Sequence, residues 1–337
     1  MKLKLTLLAT LVATLVAACG GTAPTAPTSA PAAPTPAKLI LIGMVQQAPL
    51  VPLDSAAKGV IDVLKENGYE DGKNIKIDRQ NAAGDIPALA SIAKKFKDDK
   101  VDFVVAIGTL PTQNVFAVFK DTTTPIFFST VTDPYAAGVA KSPTDKGDNI
   151  TGIQASPPVE EAFKLILEIA PKVKKVGIIW TPTEKNSEVA TGRAKEIAKT
   201  LNVEVLEATV SKADEVLAAA QSLASKKVDA FFISTDVTVV SALESVVKVA
   251  NESKIPLFGN DPDSAKRGAV CALGLDYYDN GRNSGLQLVK ALKGQAKAKD
   301  MPIEAQKKGY LACNLPAAQQ QGATIPDAVL KRADVKY

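Results

Sequence analysis

The chain has 337 residues, 46% of them hydrophobic and 5% aromatic, with 40 basic against 36 acidic side chains, a formal charge of +4. It contains no histidine and three cysteines, so His-based catalytic triads and His-ligated metal sites are excluded. No basic block or basic–aromatic interleaving marks a nucleic-acid surface.

Lys2 and Lys4 precede an apolar run, Leu5 to Ala17, of the length of a signal-peptide core and too short to be a good membrane span. Small or slim residues, Val16, Ala17 and Ala18, lead directly into Cys19. The stretch Leu15-Val16-Ala17-Ala18-Cys19 resembles the lipobox of bacterial lipoproteins. That resemblance implies a signal peptide over residues 1–18, cleavage before Cys19, and a diacylglycerol on its thiol. The competing reading is an ordinary secretory signal cut elsewhere. Two acyl chains give stable anchoring, where one binds only marginally. Without Lys2 and Lys4 the charge falls to +2. The tract of residues 20–37 has no charged and no large apolar side chain, so it cannot bury enough surface to fold. Its prolines favour extended geometry, and at ~3.1 Å per residue it reaches roughly 55 Å. Residues 19–37 therefore read as a lipidated cysteine and a disordered spacer on an exported protein.

Beyond residue 38 strands and helices alternate. Strand-like runs are 38–45, 74–81, 101–108, 125–131, 175–180, 203–210, 228–235, 255–260 and 269–276. Helix-period segments cover 53–68, 86–99, 159–171, 187–202, 213–226 and 238–253. This order predicts an α/β fold of parallel sheets built from βαβ units. Residues 68–109 and 201–235 repeat the same order. Each ends in Lys-Val-Asp, an apolar strand and a threonine, Thr109 or Thr235. Two Rossmann-like lobes follow, with a ligand cleft between the carboxyl ends of their strands.

The segments GKNIKIDRQNAAGD (72–85), TVTDPYAAGV (130–139), NITGIQASPPVEE (149–161), IIWTPTEKNSEV (178–189), TDVTVVSALESVVKVANESKIPLF (235–258), AVCALGLDYYDNGRNSG (269–285) and NLPAAQQQGATIP (314–326) occur in order. Across about residues 38–330 the chain resembles the substrate-binding proteins of ABC importers, in the subfamily often linked to tryptophan and tyrosine uptake. The resemblance implies a type I periplasmic-binding-protein-like fold with a three-segment hinge. Lobe one would be 38–152 plus 275–300, and lobe two 153–274 plus 301–337. Crossovers would fall near 150–154, 271–276 and 304–311. It further implies an extracytoplasmic, non-enzymatic monomer that captures a small molecule, an aromatic amino acid first, and delivers it to membrane permease subunits without a cofactor. A ligand-sensing lobe of a signalling system, or a binder of a nucleoside or sugar, remain alternatives.

An amino-acid carboxylate is suited by hydroxyls and helix N-termini, an ammonium by a carboxylate, and a side chain by an apolar wall. Strand ends supply such groups: Gln46, Gln47, Thr109, Leu110 and Thr130 in lobe one, and Asn186, Ser187, Thr235, Asp236 and Asn260 in lobe two. Asp236 and Asp276 are ammonium candidates, or else an N-cap and a hinge hydrogen bond. Trp180, the single tryptophan, is either a plate at the cleft mouth or core packing under a loop. The family commonly has Tyr-Asn where this chain has Trp180-Thr181, Thr-Asp-Asn where it has Thr235-Asp236-Val237, and a His-containing stretch near 43–59. These departures weaken any ligand assignment carried from the family. Cys271 and Cys313 form a disulfide if the second and third crossovers run side by side, or remain buried thiols.

Overall fold

A computed structural model describes residues 39–337. The leader, Cys19 and the spacer lie outside the described residues.

In chain order the first lobe lays down β1 (Ile40–Gln46), α1 (Val51–Glu66), β2 (Ile75–Asn81), α2 (Ile86–Asp98), β3 (Phe103–Ile107), α3 (Thr109–Phe119), β4 (Ile126–Val131) and β5 (Ile150–Gln154). The second lobe follows with α4 (Val159–Ile169), β6 (Lys175–Trp180), α5 (Lys185–Thr200), β7 (Glu204–Thr209), α6 (Val216–Ser225), β8 (Ala230–Ile233), α7 (Val237–Ser241), α8 (Leu243–Ser253), β9 (Leu257–Gly259), α9 (Asp263–Lys266) and β10 (Cys271–Leu275). The chain returns to lobe one as α10 (Tyr277–Leu292) and β11 (Glu304–Ala305). It finishes in lobe two as β12 (Gly309–Cys313), α11 (Leu315–Gln320), α12 (Asp327–Arg332) and β13 (Val335–Lys336).

Sheet one has the order β11-β5-β4-β3-β1-β2, parallel throughout, and sheet two β13-β12-β10-β9-β8-β6-β7. Sheet two is parallel except where β12 runs antiparallel to β10. Central strands are buried on both faces, β4 without exception, because helices cover both sides. Edge strands β2 and β7 are partly exposed along most of their length. Each sheet separates two apolar clusters. In lobe one these are centred on Phe96 and Phe128, and on Met44 and Phe127. In lobe two they are centred on Phe163 and Phe232, and on Phe231 and Leu257.

Some boundaries differ from the expected ones. Ile153 and Gln154 pair with β4 or β11 and belong to lobe one. Residues 301–305 also join lobe one, because Met301 and Ile303 enter its core and β11 pairs with β5. Leu275 stays in lobe two, opposite Gly309. The crossings therefore lie at 155–158, at Asp276 and at 306–308. The helix expected over 238–253 is broken at Ala242 into α7 and α8.

Besides the short α9, α11 and α12, two longer helices, α10 and α3, fall outside the predicted helix segments. The buried face of α10 is built from Asn280, Gly281, Ser284 and Gly285 before Leu288 and Val289. Those small residues let α10 lie directly on α1. A Cβ at Gly281 would sit 2.0 Å from the Ala56 carbonyl oxygen, and one at Gly59 2.3 Å from that of Tyr278. The other is α3, apolar on several sides because it is wedged between β-strands and α2, with Pro111 in its first turn.

Cys271 and Cys313 face each other across the β10–β12 ladder and are joined by a disulfide.

Candidate functional site

The carboxyl ends of both sheets meet at one cavity, partly open to solvent. Lobe one contributes Gln47, Leu50, Pro52 and Leu53 after β1, Gly108 and Thr109 after β3, and Thr130 and Thr132 at the end of β4. Lobe two contributes Asn186, Thr235, Asp236, Val237, Val240 and Asp261. Tyr277, beside the second crossing, completes the wall and is its one aromatic ring.

The lobe-one side is rich in donors. Gly108 precedes α3 with φ 99°, a conformation suited to glycine, and turns the chain sharply from β3 into the helix. The first-turn N–H groups of Thr109 and Leu110 have no intrahelical acceptor by the geometry of a helix start. Next to them Thr130 has φ 60°, the one β-branched residue in the left-handed region among the described residues. A register shift between Phe128 and Val131 of β4 imposes that conformation. Such strain is costly and persists where the surroundings over-determine it, commonly at binding sites. Thr130 Oγ1 is buried and has no hydrogen-bond partner, and neither has Thr235 Oγ1 across the cavity.

Three buried carboxylates, Asp236, Glu184 and Asp261, sit in lobe two. Asp236 caps α7 by accepting from the Val239 N–H (2.8 Å), and also accepts from the Thr181 N–H (2.6 Å), Thr181 Oγ1 (3.1 Å) and Ser187 Oγ (2.5 Å). Burial, then the neighbouring Glu184 charge, raise its pKa to about 7. Glu184 accepts from the Val237 and Thr238 N–H groups, from Thr238 Oγ1 and from Asn186 Nδ2. It also accepts from Gln47 Nε2 of lobe one at 3.2 Å, which ties the lobes together behind the cavity. Asp261 accepts from Ser264 Oγ (3.0 Å) and the Asp263 N–H (3.3 Å). Burial, then Asp263, raise it to about 6. Burial and the Asp261 charge push the Tyr277 phenol up.

Of the residues expected at the site, Gln47, Thr109, Thr130, Asn186, Thr235 and Asp236 line the cavity. The others do not. Gln46 is committed to Asp54, the Ala48 carbonyl and Arg79. Leu110 is buried in the lobe-one core. Ser187 serves Asp236. Asn260 Nδ2 donates to the Leu273 carbonyl between β9 and β10. Asp276 is the N-cap of α10, accepting from the Asp279 N–H at 3.1 Å, and lies outside the cavity. Trp180 packs on the lobe-two core instead of forming a plate at the cleft, because it shares a strand face with Ile178. Asp236 lines the cavity but its oxygens are occupied by four donors, which makes it a cap first. Asp261, Glu184, Leu50, Val240 and Tyr277 were not among the expected residues. Asp261 and Glu184 follow strand ends and carried that much signal.

The lobes touch beyond Gln47. Arg193 of α5 donates to Asp133 Oδ2 (3.1 Å) and Ser156 Oγ (3.3 Å). Leu50 packs against apolar clusters of both lobes, and Val237 of lobe two packs against a lobe-one cluster. This is a closed arrangement.

Residues 45–336 match the family model described as ABC transporter substrate binding protein. A tyrosine-binding protein of Clostridioides difficile is 38% identical over 262 residues, covering 78% of this chain and 75% of that one. An ABC domain from Streptococcus pneumonia in complex with L-Trp has a TM-score of 0.84 at 31% identity, covering 89% of this chain and 100% of that one. The ligand-free, open structure of a substrate-binding protein with adhesive properties from Clostridium difficile has a TM-score of 0.67 at 32% identity, covering 89% and 99%. At nearly equal identity the backbone is closer to the L-Trp complex, in keeping with the interlobe contacts above.

Proposed function

This chain belongs to the ABC transporter substrate-binding protein family, and on that premise we propose that the solute it captures for an ABC importer is an aromatic amino acid. The observation that carries the proposal is the division of the cavity wall. The N-terminus of α3 and two unpartnered hydroxyls, Thr130 Oγ1 and Thr235 Oγ1, occupy one part. Leu50, Pro52, Leu53, Val237, Val240 and Tyr277 form an apolar part. A carboxylate is favoured at the α3 N-terminus by free N–H groups and the helix dipole. An aromatic side chain lies on the apolar part, against the Tyr277 ring. The ammonium goes to Asp261, whose two oxygens each accept only one hydrogen bond. Ligand contacts to both lobes then favour the closed arrangement.

Calorimetry against the common amino acids, a nucleoside and a sugar tests this reading. L-tyrosine or L-tryptophan binds, and Thr130→Ala weakens that binding roughly 3- to 10-fold, the range for one lost hydrogen bond. Binding of the sugar or nucleoside with no aromatic amino acid bound overturns it.

The protein acts outside the cytoplasm as a monomer, held at the membrane through lipid on Cys19 and in reach of permease subunits. The Lys-apolar-small-Cys order of the leader supports this. A Cys19→Ala protein binds ligand normally and is released from membranes; retention in the membrane fraction overturns the anchor.

A further inference from the structure

Asn280 belongs to none of the groups that touch the cavity, yet it holds one that does. It is fully buried on α10. Its Oδ1 accepts from the Thr130 N–H at 2.8 Å and from Ser129 Oγ at 2.8 Å. Its Nδ2 donates to Gln306 Oε1 at 2.8 Å. Gln306 Nε2 in turn donates to the Asp276 carbonyl at 2.9 Å. Gln306 lies in the third crossing and Asp276 is the second. A chain of four groups therefore links the strained, cavity-lining Thr130 to two of the three segments that join the lobes.

We propose that Asn280 and Gln306 are positioning residues that couple Thr130 to the hinge, so that the Thr130 hydroxyl is presented to the ligand only when the second and third crossings hold their closed geometry. Three observations support this. Thr130 sits at φ 60°, which a threonine does not hold unaided, and its N–H donates to Asn280 Oδ1. The fork is complete: both ends of the Asn280 amide are used, so it cannot turn without breaking a bond on one side. Lobe opening changes backbone torsions at the crossings, and Asp276 and Gln306 are the residues that would move. The proposal rests on the cavity being the ligand site, and on no particular ligand.

Gln306 is half-exposed and does not touch Thr130, so Gln306→Met separates coupling from local packing. Hydrogen exchange is measured without ligand in the wild type, Gln306→Met and Gln306→Glu. The last keeps an acceptor for Asn280. Exchange over 128–132 rises roughly 3- to 10-fold in Gln306→Met, rises less in Gln306→Glu, which keeps the bond from Asn280 but loses the one to the Asp276 carbonyl, and is unchanged over 230–233 in both. A rise confined to 276–280 and 304–308 overturns the proposal. Binding of L-tyrosine and L-tryptophan supplies a second readout: Gln306→Met weakens it by a similar factor at a temperature where the variant is fully folded, although the orphaned Asn280 Nδ2 lowers its melting temperature. No loss of affinity in the folded variant overturns the coupling. If neither amino acid binds the wild type, the ligand class falls while the exchange result still decides the relay.

Discussion

Replacing Glu184 by glutamine changes one oxygen for an NH2 group at a side chain with no solvent exposure. Oε1 accepts three hydrogen bonds, from Gln47 Nε2, the Thr238 N–H and Thr238 Oγ1, and Oε2 accepts two, from the Val237 N–H and Asn186 Nδ2. The less costly amide orientation keeps its oxygen on the three-donor side. The Val237 N–H then loses its acceptor, while Asn186 keeps the Thr235 carbonyl at 2.8 Å. One orphaned buried donor costs about 1–3 kcal/mol, and the surviving bonds weaken because the acceptor is no longer charged. Relief of the repulsion with Asp236 offsets part of this. A net loss of about 2–3 kcal/mol is expected. For roughly 300 folded residues the unfolding entropy is about 0.6 kcal/mol/K, so the melting temperature falls about 3–5 °C. Circular-dichroism melts at pH 7.5 without ligand read it directly. An unchanged or higher melting temperature would show that the charge repulsion outweighs the capping of α7, and the account of the site given above would be wrong.

Lowering the pH from 8 to 5 raises stability. Asp236 and Asp261 are raised in the fold to about 7 and about 6 from 3.8, so between those values the folded state binds more protons than the unfolded one. Stability is gained as pH falls through the folded pKa values. The lowered carboxylates, such as Glu168 and Glu244, act only below about 4.5. Asp236→Asn flattens the profile of melting temperature against pH; a wild-type profile that declines from pH 7.5 to 5.5 contradicts the assignment. Gly281→Ala forces α1 and α10 apart and costs roughly 2–4 kcal/mol, whereas Gly192→Ala, in an exposed turn of α5 with open space around it, gains roughly 0.5–1 kcal/mol; denaturant titration compares the two. The Arg193–Asp133 pair joins the lobes at 3.1 Å and is 37% and 17% exposed. A double-mutant cycle on ligand affinity yields a coupling of about 0.2–1 kcal/mol that shrinks in high salt, and a salt-independent coupling speaks against an ion pair.

The strand–helix alternation was legible because the central strands are mostly apolar and most of the longer covering helices bury an apolar face. The helices α3 and α10 explain part of what was missed. On α10 closeness to α1 is achieved with glycine and serine, residues that carry no hydrophobic signal. The strand ends pointed to the cavity, and Thr109, Thr130, Thr235 and Asn186 line it. Gln46, Ser187 and Asp276 sit at equivalent places but spend their polar atoms on neighbours, and Asn260 commits its Nδ2 to the Leu273 carbonyl while its Oδ1 is buried without a partner. That choice depends on partners far along the chain, such as Arg79 for Gln46 and Gln306 for the Asp276 carbonyl. Trp180 was the more readable case, since strand alternation already places it with Ile178 on the core side.

Leu50 and Val237 line the cavity, but each also packs across to the other lobe in contacts that involve protein alone. Every such contact lowers the free energy of the empty closed form by the same amount as that of the filled one. A ligand shifts the balance only by what it adds to the closed form over the open. The self-sealing contacts therefore set the dynamic range of the receptor: the ratio between its occupied signal and the background of shut, empty molecules offered to the transporter. Trimming Leu50 would widen that range at the expense of affinity, so sensitivity and fidelity are traded against each other through one leucine.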